Sequence, residues 1–349
     1  MSKGILSFYP RLKESVIDYV ETAYYTNDKE FNSKRQALIE SEDESPVFKE
    51  PLLEPIKKYV ETDFGFNNIV NETNISGLNK AEMKLLEAML CKIDPIKHSS
   101  LYQHQVDSIL SAINVGENIV VTTGTGSGKS FCFQIPMLLN IIKEALGDNT
   151  RNRWAGNTES GTAWWREQSA AFAHKRKEYT QGDRKPGIRA LLMYPLNALV
   201  QDQIDGLREI LCSQEANQFY DDVLDGNKIY FGQYSGSTIG AGSPTLNKYN
   251  EIKSELRQIE AIWNTLDSSK QNKVPSLDRS EMITRWDMQQ TAPDILITNY
   301  SMLSILLTRE REQRMIEQTK DWLEDDSNNV FYWLYPNFPT HEMHDVVVS

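Results

Sequence analysis

The stretch Thr122-Thr-Gly-Thr-Gly-Ser-Gly-Lys-Ser130 lies between an apolar run that predicts a strand, Asn118–Thr122, and a helical pattern over Ser130–Ala145. A strand, a glycine-rich turn and a helix in this order are the context of a phosphate-binding loop, or P-loop. Glycines lack a Cβ, so successive backbone N–H groups can converge on a phosphate, and the dipole of the following helix favours an anion there. The sequence therefore predicts a nucleotide site, with a purely structural glycine turn as the alternative.

Two side chains of this loop have distinct predicted roles. Lys129 is expected to reach the β- and γ-phosphates, and the Ser130 hydroxyl is expected to ligate Mg²⁺. The strict pattern GxxxxGK[ST] is broken only at its first position, where Thr123 replaces glycine. The residues predicted to contact the nucleotide in this loop are Thr123, Gly124, Thr125, Gly126, Ser127, Gly128, Lys129 and Ser130.

Outward from the loop, short apolar runs alternate with helical patterns. The predicted strands are Asn118–Thr122, Ala190–Tyr194, Lys228–Gln233 and Asp294–Thr298, and the predicted helices after three of them are Ser130–Ala145, Ala198–Leu211 and Met302–Gln318. This alternation predicts an α/β fold with a parallel sheet and helices on both faces. Right-handed crossovers place the strand-to-helix loops at one edge of the sheet, where ligands bind.

The change of residue pattern along the chain predicts two domains. Residues 1–95 are mostly helical in pattern, and the alternating region occupies residues 96–349, with insertions near 147–187 and 247–279. The first insertion holds three tryptophans, which we expect to pack locally and hold down a long loop. Its basic run, His174–Lys177, is expected to form a solvated helix face, with a nucleic-acid contact as the alternative.

Composition narrows the function classes. The chain has 349 residues, 37 Lys+Arg and 49 Asp+Glu, which gives a formal net charge of −12. This excludes a generally basic protein that coats nucleic acid, but it does not exclude a local phosphate site. The cysteines at 91, 132 and 212 are too far apart for a CxxC metal site, and no apolar run could span a membrane. We therefore expect a soluble cytoplasmic protein with no membrane partner.

A second candidate nucleotide element lies upstream, at Leu101-Tyr-Gln-His-Gln105. The Gln105 amide offers a donor and an acceptor together, which suits the edge of adenine, and Tyr102 could pack beside the base. Taken alone, this stretch is equally an ordinary helix start.

Taken together, these motifs resemble those of superfamily 2 helicases of the DEAD/DEAH-box kind. The P-loop has the form of motif I, and Tyr102–Gln105 resembles the adenine-reading Q motif. Three further stretches are similar to later motifs of that superfamily: Tyr194–Gln203, Tyr234–Thr238 and Ile295–Leu303. More narrowly, the chain resembles large bacterial helicases of the MrfA/YprA type and helicases of phage-defence systems such as DISARM and Druantia. That narrower likeness rests on the Trp-rich insertion, Arg189–Pro195, Ile229–Gly232 and Arg285–Met288.

The resemblance implies an ATP-binding RecA-like domain that uses Mg²⁺ and binds nucleic acid, most simply DNA. The residues that it implies for nucleic-acid contact are Pro195, Asn197, Gly236, Thr238, Thr298 and Asn299. Small hydroxyl and amide side chains ahead of helices grip a phosphodiester backbone without reading bases. Each such loop taken singly is an ordinary helix cap.

One expected element is missing from the sequence. The family carries an Asp-Glu pair at the end of the next strand, which should begin within Asn329–Tyr335. The residues after it contain no such pair, and His341-Glu-Met-His344 does not fit the HExxH metal motif, so we expect a solvated tail there. No catalytic residue is therefore identifiable. We expect a first RecA-like domain truncated before motif II, by a split gene or a frameshift.

Three functions stay open at this point. The first is the N-terminal part of an ATP-dependent DNA helicase or translocase, inactive alone, whose partners would be the missing C-terminal helicase half or defence-system subunits. The second is a nucleic-acid-stimulated ATPase that remodels complexes without unwinding. The third is a truncated module, or pseudogene product, that binds without turnover.

Overall fold

The computed structural model describes residues 8–41, 47–48, 58–115, 118–124, 126–147, 152–156, 163–167, 172, 174–176, 184–195, 197–267, 270–324, 331–334 and 345–348. The chain divides into two compact units, Met1–Lys58 and Tyr59–Ser349. This division lies well ahead of the boundary predicted at residue 95. Among the described helices, none combines the length and apolar character needed to cross a lipid bilayer.

The first unit contains two helices, α1 (Phe8–Ala23) and α2 (Lys29–Glu40). Asp28 caps α2, because its carboxylate accepts a hydrogen bond from the backbone N–H of Phe31 at 3.1 Å. These two helices agree with the mostly helical pattern predicted for this part of the chain.

The second unit holds the α/β part of the chain. Its helices are α3 (Phe66–Glu72), α4 (Lys80–Leu90), α5 (Asp94–Lys97), α6 (Gln103–Leu110), α7 (Lys129–Leu146), α8 (Asn197–Leu211), α9 (Gln214–Val223), α10 (Leu246–Thr265), α11 (Arg285–Gln290), α12 (Tyr300–Thr308) and α13 (Gln313–Leu323). Its strands are β1 (Ile119–Val121), β2 (Ala190–Met193), β3 (Phe231–Tyr234), β4 (Glu281–Met282), β5 (Ile295–Thr298), β6 (Phe331–Leu334) and β7 (Asp345–Val348).

The strands form one sheet in the order β1-β7-β6-β2-β5-β3-β4. Strands β6, β2, β5, β3 and β4 pair in parallel. Strand β7 lies antiparallel between β1 and β6. The solvated tail was predicted at His341–His344, which lies outside the described residues. Strand β6 lies within Asn329–Tyr335, where the sequence predicted a strand, and it pairs with β2. The predicted α/β fold with a parallel sheet is confirmed.

The two faces of the sheet are covered by different helices, because side chains alternate along each strand. Ala190 and Leu192 of β2 join a large core with α7, α8 and α9, whereas Leu191 points to a second core that includes Met302 and Met315 of α12 and α13. The first core also includes Leu86 and other residues of α3–α6. This shared core explains why α3–α5 belong to the second unit, although their helical pattern resembled that of residues 1–58.

One predicted helix is divided. The pattern over Met302–Gln318 predicted a single helix, but α12 ends at Thr308, and a 3₁₀ turn at Glu310–Glu312 precedes α13. Glu312 is buried, and its carboxylate accepts a hydrogen bond of 2.6 Å from the Tyr234 hydroxyl of β3. This contact draws the chain toward the sheet, which a continuous helix would not allow.

The tryptophans of the first insertion are packed as predicted. Trp164 and Trp165 form a cluster with Ile252 and Leu256 of α10 and with Trp286 of α11. The prediction for the neighbouring basic run was wrong. The Lys175 ammonium donates to the carbonyls of Leu277 and Glu281 at 2.7 and 2.8 Å, and Arg176 is buried, so neither lies on a solvated face. Lys177 lies outside the described residues.

Asp294, at the start of β5, is the centre of a buried ionic network. Its carboxylate receives Arg184 Nη2 at 2.5 Å, Arg189 Nη1 at 2.9 Å and the backbone N–H of Tyr230 at 2.7 Å, and Arg176 Nη1 lies 3.6 Å away. Arg189 also donates to the Glu144 carboxylate of α7 at 2.6 and 2.7 Å. Burial alone would raise the pKa of Asp294, but the three guanidinium groups outweigh it and lower the pKa to about 2.

We expect Asp294→Asn to lower the free energy of unfolding by about 3–5 kcal/mol, because it leaves buried guanidinium groups uncompensated. Urea denaturation monitored by circular dichroism measures the change. Asp278→Asn is the matched control. Asp278 pairs with Arg166 at 3.0 Å, but its side chain is 62% exposed, so its loss should cost less than about 1 kcal/mol.

The lowered pKa also fixes the pH range in which Asp294 stabilises the fold. A carboxyl group whose pKa is lower in the folded state than its unfolded value of about 4 contributes stability above that value and loses it toward pH 2. Equal losses for the two asparagine variants, or a stability of Asp294→Asn that falls as steeply as wild type in acid, would contradict this role.

Candidate nucleotide site and nucleic-acid edge

The predicted P-loop connects the end of β1 to the start of α7. Gly126 and Gly128 have φ values of +81° and +71°, in the left-handed region that favours glycine. A Cβ at Gly128 would also clash with the Gln105 amide nitrogen, so a larger residue there would displace the Gln105 side chain. Thr125 lies outside the described residues.

Side chains of the P-loop form hydrogen bonds to other groups of the same loop. Lys129 Nζ donates to the carbonyl oxygen of Thr123 at 3.0 Å, which holds the ammonium group over the loop. The hydroxyls of Thr123 and Ser127 are 2.6 Å apart, and Ser127 is fully buried. Gly124 and Gly126 are exposed, so the backbone of the loop faces solvent while its hydroxyls face each other. This is the arrangement that a phosphate-binding loop requires.

Gln105 is placed beneath the loop. It is 1% exposed, and its amide nitrogen donates to the carbonyls of Ser127 and Gly128 at 3.3 and 3.0 Å. Its amide oxygen accepts the backbone N–H of Tyr102 at 2.8 Å. Both ends of the amide that was predicted to read adenine are therefore bonded to the protein, and the side chain ties α6 to the P-loop.

An aromatic cluster that sequence reasoning missed lies beside the loop. Tyr59 is 5.5 Å from Tyr102 and 5.2 Å from His104 between ring centroids, and its hydroxyl accepts the backbone N–H of Gly124 at 3.1 Å. His104 Nε2 lies 3.1 Å from the carbonyl oxygen of Ser127, and burial lowers the pKa of this histidine. The only available sequence signal was a lone tyrosine far from the motif.

Ser130 fits one ligand position of a magnesium site. Its half-buried hydroxyl oxygen receives a hydrogen bond of 3.3 Å from Gln203 Nε2, and an oxygen lone pair stays available for a hard cation. No cluster of three or more His, Cys, Asp or Glu residues in the described part of the chain could hold a metal. Mg²⁺ commonly completes its shell with phosphate oxygens and water, which suits a single protein hydroxyl.

The loops predicted to contact nucleic acid meet at one edge of the sheet. β5 lies between β2 and β3, and Thr298 pairs with both Met193 and Tyr234. The loops that follow these three strands are therefore neighbours. Pro195 is half-buried after β2, and Asn197 begins α8.

Gly236 and Ser237, two residues of the turn directly after β3, are exposed. Thr238 is turned inward, since its hydroxyl donates to the carbonyl of Gln233 at 2.8 Å and accepts the backbone N–H of Ser235 at 2.9 Å. Within the described chain, the N–H groups of Gly236 and Ser237 form no backbone hydrogen bond. This loop therefore presents backbone amides to solvent.

The residues after β5 are also engaged by the protein. The Thr298 hydroxyl is 1% exposed and donates to the carbonyl of Tyr234 at 2.8 Å. The Asn299 side chain caps α12 by accepting the backbone N–H of Met302 at 2.8 Å. The helix-cap alternative is thus realised at Asn299, whereas the role of both residues in nucleic-acid contact stays a prediction.

Arg285, singled out in the sequence, holds the loop after β3 from below. It is buried, and its Nη2 donates to the carbonyls of Ser235 and Gly236 at 2.6 and 3.0 Å. Drawing these carbonyls inward turns the following amides outward. The next residue, Trp286, donates to the carbonyl of Gly242 at 3.0 Å, so the start of α11 fixes both ends of this turn.

Comparison with known proteins agrees with this geometry. The family model of the DEAD/DEAH box helicase matches residues 102–230. The chain resembles DEAD/DEAH box helicases. It is 26% identical over 381 residues to Druantia protein DruE of Escherichia coli (strain UMEA 4076-1), which covers 93% of this chain and 18% of that protein. The predicted likeness to Druantia helicases is confirmed.

Two shorter or weaker similarities accompany this one. The chain is 37% identical over 49 residues to ATP-dependent helicase HRQ1 of Saccharomyces cerevisiae, covering 14% of this chain and 4% of that protein. The crystal structure of the DUF1998 helicase MrfA bound to DNA matches with a TM-score of 0.32 and 20% identity, over 70% of this chain and 21% of that one. The chain thus spans a fifth or less of DruE and HRQ1.

We expect Gln105→Ala to weaken ATP and GTP binding alike, each by about tenfold, because its amide bonds to loop carbonyls that serve either nucleotide. Isothermal titration calorimetry with Mg²⁺ and each nucleotide measures the affinities. Gln103→Ala, on the exposed side of the same helix, should change neither. A loss confined to ATP would instead demonstrate adenine reading by Gln105.

Proposed function

We propose that this chain supplies the ATP-binding and nucleic-acid-binding part of an ATP-dependent DNA helicase or translocase. The observation that carries the proposal is the P-loop between β1 and α7, with the Lys129 ammonium held over exposed loop backbone. The second support is the row of loops after β2, β5 and β3, which offers backbone amides at the carboxyl edge of the same sheet. Such edges bind ligands in parallel α/β sheets.

In the proposed nucleotide complex, Lys129 and the amides of the loop bind the β- and γ-phosphates. Ser130 holds Mg²⁺, which neutralises phosphate charge when bound. The base lies against the aromatic cluster of Tyr59 and Tyr102, beside the loop that Gln105 fixes.

The hydrogen bonds of Gln203 connect the proposed nucleotide site to the helix that begins at the proposed nucleic-acid edge. Gln203 of α8 donates to the Ser130 hydroxyl at 3.3 Å and accepts a hydrogen bond from Gln134 Nε2 of α7 at 2.8 Å. The helix that carries Gln203 begins at Asn197, on the proposed nucleic-acid edge. A shift of α8 on binding nucleic acid would therefore act on the proposed magnesium ligand.

Nucleotide binding by residues 1–349 is distinct from ATP hydrolysis. Residues 329–349 contain no Asp-Glu pair after β6, and this observation favours the third of the functions left open by the sequence, a module that binds nucleotide without turning it over. The proposal therefore assigns binding, not hydrolysis, to these residues. The proposed partners are DNA, a second helicase half and subunits of a defence system. A strand-displacement assay on the assembled partners separates unwinding from remodelling.

We expect Lys129→Ala to weaken the binding of Mg²⁺–ATP by about 10- to 150-fold, because it removes the cation that is hydrogen-bonded to the phosphates. Calorimetry on the purified chain measures this loss. Lys80→Ala removes an equal charge from the exposed start of α4 and should leave binding unchanged. Equal ATP affinity in wild type and Lys129→Ala would overturn the nucleotide site.

We expect Ser237→Asp to weaken binding of single-stranded DNA by about tenfold at low salt, since it places a negative charge beside the exposed amides of the loop after β3. The effect should shrink as salt screens the added charge. Fluorescence anisotropy over a salt series measures it. Ser254→Asp, on the exposed side of α10, carries the same charge and is the control. Identical behaviour of the two variants would remove this loop from the nucleic-acid edge.

A further inference from the structure

Tyr300 is the most exposed large apolar side chain in the described part of the chain, at 76%. It is the first residue of α12 and directly follows the capping residue Asn299. Aromatic rings normally bury much of their area, because burial is their main contribution to stability. Nothing in the local fold requires an aromatic side chain at this position.

Tyr300 follows β5, the middle one of the three strands whose loops form the proposed nucleic-acid edge. β5 lies between β2 and β3, with adjacent strands about 5 Å apart. Tyr300 stands two residues beyond Thr298, between the Pro195 turn and the exposed loop at Gly236–Ser237. A strand whose phosphates rest on that loop has its bases within reach of the ring.

The two polar side chains before Tyr300 are hydrogen-bonded to the protein. Thr298 donates to the Tyr234 carbonyl, and Asn299 caps α12, so both are turned to the protein. The loop after β5 therefore presents to solvent the aromatic ring of Tyr300, next to the exposed residue Ser301.

We propose that Tyr300 is a stacking platform for one base of a single-stranded nucleic acid that lies along this edge. The inference rests on the proposed function and names the substrate as an unpaired strand, because the bases of a duplex already stack on one another. Every base has a π-face, so the ring binds without preference for sequence. The phosphates of the same strand bind the amides of Gly236 and Ser237.

The test compares the full chain and its Tyr300 variants in binding oligo-dT, an abasic oligonucleotide of the same length, and a duplex. Tyr300→Ala should weaken oligo-dT binding about 5- to 150-fold, the equivalent of about 1–3 kcal/mol for one stacked base. The fold loss should be the same at low and high salt, because stacking releases no counterions. Tyr300→Phe keeps the ring and should bind as wild type does.

Two comparisons make the result specific. Wild type and Tyr300→Ala should bind the abasic strand and the duplex equally, since neither offers a free base to stack. Leu307→Ala, on the same helix and 60% exposed, should not affect oligo-dT binding. An equal loss in Leu307→Ala would show that the effect is not specific to the ring, and a loss in Tyr300→Phe would assign the contact to the hydroxyl. Either result would overturn the platform.

The outcomes separate this inference from the proposed function. If wild type binds oligo-dT and Ser237→Asp weakens that binding, but Tyr300→Ala does not, then only the stacking platform fails. If wild type binds neither the abasic strand nor oligo-dT, the nucleic-acid edge itself fails, and the platform fails with it.

Discussion

The carboxylate of Asp294 is the buried contact that joins the central strands of the sheet to α7, the helix that follows the P-loop. It joins the starts of β5 and β3 through the Tyr230 N–H and binds Arg184 and Arg189, and Arg189 continues the network to Glu144 of α7. The amino ends of the central strands are thus fixed in register around one buried charge. Because strands are stiff, the loops at their opposite ends are fixed with them. The proposed ligand contacts lie on these loops.

The P-loop and the nucleic-acid edge share a common construction. In both, a side chain beneath the loop draws backbone carbonyls inward: Gln105 at Ser127 and Gly128, and Arg285 at Ser235 and Gly236. A peptide whose carbonyl points inward points its following N–H outward. Of the side chains predicted to contact nucleotide or nucleic acid, Gln105, Thr298 and Asn299 are hydrogen-bonded to the protein, and outward-facing backbone amides are the groups proposed to meet an anion there.

Sequence reasoning predicted the local parts of this structure well. Strand and helix periodicity placed β1, β2, β5 and α7 to within a residue or two, since those patterns report which face of an element is buried. It failed where contacts join distant residues. Tyr59 reaches Gly124, and Lys175 reaches Glu281, and neither pairing leaves a periodic signal in the chain. For the same reason, the sequence predicted a solvated helix face for the basic run at 174–177.

The charge of the chain constrains how the proposed nucleic-acid edge would hold a polyanion. The net charge is −12, and the edge stretches 194–197, 235–238 and 298–301 contain no lysine or arginine. The Arg285 guanidinium group beneath the loop after β3 is hydrogen-bonded to loop carbonyls. The binding proposed at this edge would therefore rest on backbone dipoles, which release few counterions and give a shallow dependence on salt. Such contacts are weak singly, so a non-ionic contribution has to supply much of the affinity. An exposed aromatic ring at the centre of the edge is the group best suited to supply it, because stacking keeps its strength where ionic contacts are screened.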